Sequence, residues 1–278
     1  MKKILAVIDA LNYKEEQLDV IAYISDLLKS NLTIVMAEDM DSIPTFIGPD
    51  FAAGVPERYY EIVVKACEEK GSIIKNNIEA MRMACQSRNL FCAAQSNRGS
   101  TTEEIILESR FAHLVLLEKN LSFPLLFDAT PTKFTKNVLV NAQCPVLVIS
   151  EDMSVVKGVV FTYNGAFSSM YAIKTFAGMF PEIVAKEATV IYVCENGSNT
   201  IPHEKLLREC LGCYNRNIFY KTLTGKADTV IQSYLQQKQH YISTFGAYGR
   251  SRLSRFFNSS SAENVLRMTK GPLFITHP

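Results

Sequence analysis

The sequence predicts an α/β protein of two tandem, doubly wound domains, each with a five-stranded parallel sheet in the strand order 3-2-1-4-5. Two observations support this prediction. The chain contains an internal repeat, and each copy of the repeat alternates short apolar runs with segments of helical periodicity. Alternation of this kind is typical of a parallel sheet that carries helices on both faces and is wound by right-handed crossovers.

The repeat is clearest near the end of each copy. Five residues separate 137–139 (Asn-Val-Leu) from Pro145, and five residues separate 264–266 (Asn-Val-Leu) from Pro272. The two copies of this pattern are 127 residues apart. We therefore interpret the chain as two copies of one unit.

The front of each copy also matches, because KKILAVID resembles KGVVFTYN and places Asp9 opposite Asn164. These matches set the predicted domains at residues 1–152 and 153–278. The first copy is longer, mainly because of an insertion between Asp41 and about Val63.

The strands are predicted as short runs of bulky residues with little polar alternation, as expected for strands covered on both faces. In the first copy, a long helix with apolar residues at helical spacing is also predicted, over residues 57–88. The predicted strands of the first copy are 3–9, 32–38, 90–95, 113–118 and 145–149. Those of the second copy are 157–163, 188–194, 217–223, 240–246 and 272–276, and its helices are 167–180, ended by Pro181, 202–215, 227–237 and 261–269.

The composition argues against several classes of function. The formal net charge is +1, which argues against binding to nucleic acid or a membrane surface through bulk charge. The N-terminal apolar run is interrupted by Asp9 after too few residues for a signal peptide, and no apolar stretch approaches the length of a membrane span. The seven cysteines are scattered, and Cys92, Cys144 and Cys194 have apolar neighbours, as reduced core thiols do. We expect a cytoplasmic protein.

The most informative stretch is 245–265, which follows a predicted strand. It contains Gly246 and Gly249, then nine residues, then Ser259 to Ser261, and it leads into a predicted helix. A glycine-rich turn followed by small hydroxyl residues at a helix start is a geometry that aims backbone N–H groups at phosphate. Glycine also permits positive φ and close approach of a phosphate group.

At this point the sequence resembles the universal stress protein (UspA) family in its tandem two-domain form, over essentially the whole chain. The family motif G-x2-G-x9-G-[ST], followed by a T-E-N-V-like sequence, stands here as Gly246-x2-Gly249-x9-Ser259-Ser260, with residues 261–265 reading S-A-E-N-V. The resemblance implies a Rossmann-like, HUP-type fold and a site for ATP or AMP, with Mg²⁺ accompanying ATP.

The resemblance implies this site in the second copy. Thr162 and Asn164 would flank the adenosine, Val193 would pack on the base, and Phe245 would sit at the mouth of the fourth strand. The phosphates would be held by Gly246, Gly249, Ser259, Ser260 and Ser261, with Arg250 supplying a charge-assisted bond. Arg250, together with Arg252 and Arg255, can equally be the solvated edge of a loop.

Two positions depart from the family pattern. Asn164 replaces the aspartate that would accept two ribose hydroxyls, and Ser259 replaces a glycine. The first copy departs further, because Lys119-Asn120-Leu121-Ser122 and Thr132-Lys133 stand where the glycines and serines would be. We therefore expect a single nucleotide site, in the second copy.

No catalytic constellation accompanies the loop. The serines lack a triad partner, there is no G-x-x-x-x-G-K-[ST] loop, and a regulatory role in the stress response fits better than an enzyme. Cys210 and Cys213 form a C-x-x-C pair with His203 upstream, but no second pair accompanies it, and we favour a structural interpretation. Two alternatives stay open: a nucleotide-free scaffold that binds unidentified protein partners, and slow ATP hydrolysis.

Oligomeric state is predicted from the last strand of each copy. Family members often dimerise through that strand, so residues 145–149 and 272–276 are expected to pair within the chain as a pseudo-dimer, with further homodimerisation left open. Such pairing would cover two exposed sheet edges.

Overall fold

The structure is a computed structural model of the 278-residue chain. It describes residues 2–38, 57–90, 100–118, 133–150, 153, 156–194, 200–246 and 271–278. The described strands form a single nine-stranded sheet flanked by helices on both faces.

The N-terminal half contributes four described strands and four described helices. The strands are β1 (Lys3–Asp9), β2 (Asn31–Ala37), β3 (Leu114–Glu118) and β4 (Val146–Ile149). The helices are α1 (Gln17–Leu28), α2 (Glu57–Ser87), α3 (Thr102–Ser109) and α4 (Lys133–Asn141).

The C-terminal half contributes five strands and four described helices. The strands are β5 (Gly158–Tyr163), β6 (Ala188–Cys194), β7 (Ile218–Thr224), β8 (Tyr241–Gly246) and β9 (Leu273–Thr276). The helices are α5 (Phe167–Met179), α6 (Pro181–Lys186), α7 (Glu204–Gly212) and α8 (Ala227–Gln236).

The strand order is β2-β1-β3-β4-β9-β8-β5-β6-β7. Within each half all described pairs are parallel, and the C-terminal half has the predicted 3-2-1-4-5 order in full. The N-terminal half shows the same order for its four described strands. Its predicted strand 90–95 lies almost entirely outside the described residues, although Ser100 forms a parallel bridge with Ala37 beside β2.

The two halves meet through β4 and β9, which pair antiparallel with Leu147 opposite Phe274. The predicted pairing of the last strands is therefore confirmed. Each strand covers the edge of the other, which removes two open sheet edges.

The core has two layers. The first face of the sheet is covered by α1, α2, α5, α6 and α7, and its buried side chains form one cluster that includes Ile8, Ile78, Phe161 and Phe176. The second face is covered by α3 and α4 in one half and by α8 in the other. Helices on both faces explain why inner strands such as β1 and β5 are buried along almost their whole length.

Most predicted elements are observed, and their ends lie within three residues of the predicted ones. The prediction missed α6, because Pro181 was interpreted only as the end of the preceding helix. Proline is also favoured in the first turn of a helix, where its missing N–H costs nothing, and α6 begins at Pro181. The predicted helix 261–269 lies outside the described residues.

Candidate functional site

The candidate site lies where β5 meets β8, at the carboxyl ends of the strands. β5 pairs with the next strand, β6, on one side and with β8 on the other, so the chain reverses its winding direction there. In doubly wound sheets this switch point opens a crevice in which ligands bind.

Three of the predicted site residues share the second face of the sheet at this crevice. Strand alternation puts Val160 and Ile191 on the second face, and it therefore puts Thr162 and Val193 there as well. Phe245 packs against the buried clusters of that same face. The structure thus brings Val193, Thr162 and Phe245 together at the ends of three neighbouring strands.

The three side chains differ in what they offer a ligand. Val193 is half-buried and lies opposite Leu223 of β7, so it presents an apolar surface. Phe245 is also half-buried and lies opposite Ile275 of β9. The hydroxyl of Thr162 is buried and donates to the carbonyl of Thr244, so it joins β5 to β8. This end of the second face is therefore apolar, as suits an aromatic base.

Asn164 stands at the mouth of the crevice, one residue beyond β5, and it is exposed. Its Oδ1 accepts a hydrogen bond of 3.0 Å from the backbone N–H of Ala166, which shapes the turn into α5. Among the described residues its Nδ2 makes no hydrogen bond. The side chain can therefore still donate to a ligand.

Gly246 ends β8, and the structure gives a packing reason for this glycine. A Cβ at this position would lie 1.9 Å from the carbonyl oxygen of Ser168 and 2.7 Å from the backbone nitrogen of Ser169. Since both are backbone atoms of α5, no side chain can be accommodated. Among the described glycines, only Gly165 and Gly225 have positive φ, so Gly246 does not use the positive φ that glycine permits.

A second feature beside Gly246 was missed by the sequence analysis. The hydroxyls of Ser168, Thr244 and Thr276 are fully buried and have no hydrogen-bond partner among the residues that the structure describes. Thr276 lies opposite Gly246 across the β8–β9 pair, and Thr244 precedes Gly246 by two residues on the same face. Strand alternation in the sequence would have placed both threonines on one face, but it gives no sign that they lack partners.

The rest of the predicted phosphate loop lies outside the described residues. This applies to Gly249, Arg250, Ser259, Ser260 and Ser261. Their roles stay predictions.

The corresponding strand end of the N-terminal half is built differently. Asp9 ends β1 and is only 2% exposed. Its Oδ1 accepts from the backbone N–H groups of Leu11 at 2.8 Å and Asn12 at 3.2 Å, and its Oδ2 accepts from the Asn12 amide at 2.8 Å. Burial raises the pKa of the Asp9 carboxyl, while these hydrogen bonds and the charge of Lys70 act in the opposite direction.

Helix α2 covers the carboxyl end of β1. The side-chain amide of Asn77 donates to the carbonyls of Ala10 at 2.9 Å and Leu11 at 3.2 Å. Lys70, on the same helix, forms a largely buried ion pair of 4.0 Å with Glu38. The groups that could face a ligand here are therefore bound to the chain itself.

Within the described ranges, the His, Cys, Asp and Glu side chains nowhere form a group of three or more that could hold a metal ion. None of the helices in the described part of the chain combines the length and apolarity that a membrane span requires.

The cysteines differ in part from the expectation of reduced thiols. Cys144 and Cys194 are free, as expected, and Cys92 lies outside the described residues. Cys85, by contrast, takes part in a disulfide. Cys67, Cys210 and Cys213 are free thiols.

Together, the tandem doubly wound sheet and the crevice at its switch point define a class of protein: an α/β protein with the universal stress protein fold. The chain is similar to the crystal structure of a universal stress protein from Archaeoglobus fulgidus DSM 4304, with a TM-score of 0.66 and 15% sequence identity over 99% of this chain and 98% of that one. It is also similar to a protein of unknown function from Pseudomonas aeruginosa PAO1, with a TM-score of 0.60 and 14% identity over 100% and 93% of the two chains.

At these identities the likeness establishes the fold, and it confirms the fold that the sequence resemblance implied. No protein-family model matches the chain, and no curated protein matches it in sequence.

Proposed function

We propose that the chain is a tandem universal-stress-type protein whose C-terminal half binds an adenine nucleotide, ATP or AMP, as a regulatory ligand in a stress response. The observation that carries this proposal is the convergence of Val193, Thr162 and Phe245 on one face at the switch point. These residues offer an apolar surface to a base, with Asn164 at its mouth.

The polar groups support the same assignment. Asn164 has an amide that can donate to a ribose oxygen, and Gly246 leads from β8 into the predicted phosphate loop. When ATP is bound, Mg²⁺ would accompany its phosphates. The N-terminal half is proposed not to bind, because the Asp9 carboxylate is buried and already accepts three hydrogen bonds.

The direct test is isothermal titration of the full chain with ATP and with AMP. In Val193→Glu, a carboxylate would replace the apolar surface and repel the phosphates, so we expect at least about a tenfold loss of affinity. Thr224→Glu is the matched control, because Thr224 is exposed, ends the neighbouring strand β7 and lies on the opposite face. Absence of nucleotide binding by the unmodified chain would refute the proposal.

A nucleotide-free scaffold is the second candidate. It is favoured by one observation, that the Oδ1 of Asn164 is already engaged by the backbone of the turn. An assay of the purified protein distinguishes the two candidates. The protein is mildly denatured, and the released small molecules are tested for adenine nucleotide. A scaffold would release none.

A further inference from the structure

The C-terminal end of α7 carries two free thiols that the nucleotide proposal does not use. Cys210 is half-buried and Cys213 is exposed. They are separated by Leu211, which is buried, and by Gly212, which is exposed. One sulfur therefore faces solvent while the other lies against the protein.

Helix geometry places the two cysteines within reach of each other. Residues three apart lie on the same side of a helix, with Cα atoms about 5 Å apart for ideal rise and radius. Cys213 keeps helical angles, with φ −67° and ψ −23°, although it caps the helix. Disulfides span Cα distances of roughly 4.4 to 6.8 Å, which the pair meets, and Cβ distances of roughly 3.5 to 4.5 Å, which are shorter than the roughly 5–6 Å between such neighbours on a helix. Since Cys213 is the C-cap, a local adjustment at the end of α7 is enough to bring the two sulfurs together.

The turn that carries the pair is anchored on one side and open on the other. Leu207 and Leu211 lie on the buried face of α7, and the side-chain amide of Asn215, just after the helix, donates to the carbonyl of Val184 at 2.8 Å. On the open side, a Cβ at Gly212 would meet no atom within 4 Å. A disulfide-forming reagent can therefore approach the pair while the helix stays in place.

We propose that Cys210 and Cys213 are a reversible modification site that converts between a dithiol and an intrahelical disulfide by exchange with a small disulfide such as oxidised glutathione. The exposed Cys213 thiolate attacks one sulfur of the reagent and releases the first glutathione thiolate. The Cys210 thiolate then attacks the Cys213 sulfur of the mixed disulfide and releases the second. The protein loses two electrons and two protons, and the reagent is reduced to two thiols.

Cys144 provides an internal reference, because burial raises the pKa of its thiol to about 12 and keeps it unreactive in the folded chain.

The experiment exploits the arginines around the pair. Trypsin cuts after Arg208 and Arg216, so residues 209–216 form one peptide that contains both cysteines and no others. The full, folded chain is equilibrated with oxidised glutathione, alkylated, digested and analysed by mass spectrometry. We expect most of this peptide to be lighter by two hydrogen atoms, without alkylation, and to regain both alkylatable thiols after dithiothreitol.

Cys213→Ser is the matched variant, and in it the peptide should carry either a free Cys210 thiol or a glutathione adduct. Retention of helical circular dichroism, and of an unmodified Cys144, verifies that the oxidised chain is folded. The proposal is overturned if both thiols of the unmodified chain stay alkylatable, or if the peptide carries only glutathione adducts. It is equally overturned if the internal disulfide forms only after the chain unfolds.

Discussion

The ends of β1 and β5 occupy equivalent places in the two halves, yet they are built in opposite ways. Asp9 is buried, and both of its oxygens accept hydrogen bonds from the following turn. Asn164 is exposed and uses only its Oδ1 in the corresponding turn. The half that carries the carboxylate buries it, whereas in the half that carries the amide this side chain is exposed.

The difference shows that an equivalent strand end can carry a similar residue and still be closed to a ligand. At Asp9, Asn77 binds the adjacent carbonyls and Lys70 pairs with Glu38 nearby. Asn77 and Lys70 both lie on α2, downstream of the insertion of the first copy. The long helix α2 therefore supplies the polar groups that cover this strand end.

The largest effect is expected at Gly246, which belongs only to the C-terminal half. Gly246→Val should destabilise the fold by at least about 3 kcal/mol, because its side chain would overlap the backbone of α5 at Ser168. Chemical denaturation measures this loss. The equivalent strand end in the N-terminal half is Glu118, which has a side chain.

Gly71→Ala is the matched control for the same measurement. A Cβ at Gly71 would meet no atom within 4 Å, and the residue lies inside α2. Alanine there should stabilise the chain by roughly 0.5–1 kcal/mol. If Gly246→Val were as stable as the unmodified chain, the close approach of β8 to α5 would be wrong. Loss of nucleotide binding in this variant would not by itself locate the phosphate site.

The buried threonines of the C-terminal half test a smaller effect. Thr162 donates its hydroxyl to the Thr244 carbonyl, whereas the buried Thr244 hydroxyl has no partner in the described part of the chain. Thr162→Val should therefore cost about 1 kcal/mol, while Thr244→Val should stabilise by a similar amount because it removes an unsatisfied polar group of the same shape. Thermal or urea unfolding compares the two. A loss of stability in Thr244→Val would indicate that its hydroxyl does have a partner.

The sequence predicted the fold better than it predicted the site. Bulky strands and the repeat were sufficient for the strand order, since both depend on local pattern and on a topology rule. The site depends on close contacts between distant segments, such as Gly246 against Ser168, and no local pattern reports these. The covering of the strand end at Asp9 could not be predicted either, because Asn77, which binds the adjacent carbonyls, lies far away along the chain.

A carboxylate at the end of β5 is expected to strengthen nucleotide binding. If the proposed function holds, Asn164→Asp should bind ATP or AMP about tenfold more tightly, because a carboxylate can accept two ribose hydroxyls and still accept from Ala166. Isothermal titration measures the change. Asn217→Asp adds the same charge at an exposed residue just before β7 and should leave the affinity unchanged. Equal or weaker binding by Asn164→Asp would contradict the assigned role.

The smallest effect is expected at Asp9, in the N-terminal half, and it appears in the pH dependence of stability. Burial raises the pKa of Asp9 in the folded chain, so the folded state binds a proton more tightly than the unfolded state. Stability from this group is fully present below the unfolded pKa and is lost as pH rises through the folded pKa. Asp9→Asn should remove that decline while leaving nucleotide binding unchanged. Urea unfolding at several acidic pH values measures the slope, and an identical slope in the variant would show that Asp9 does not titrate differently in the two states.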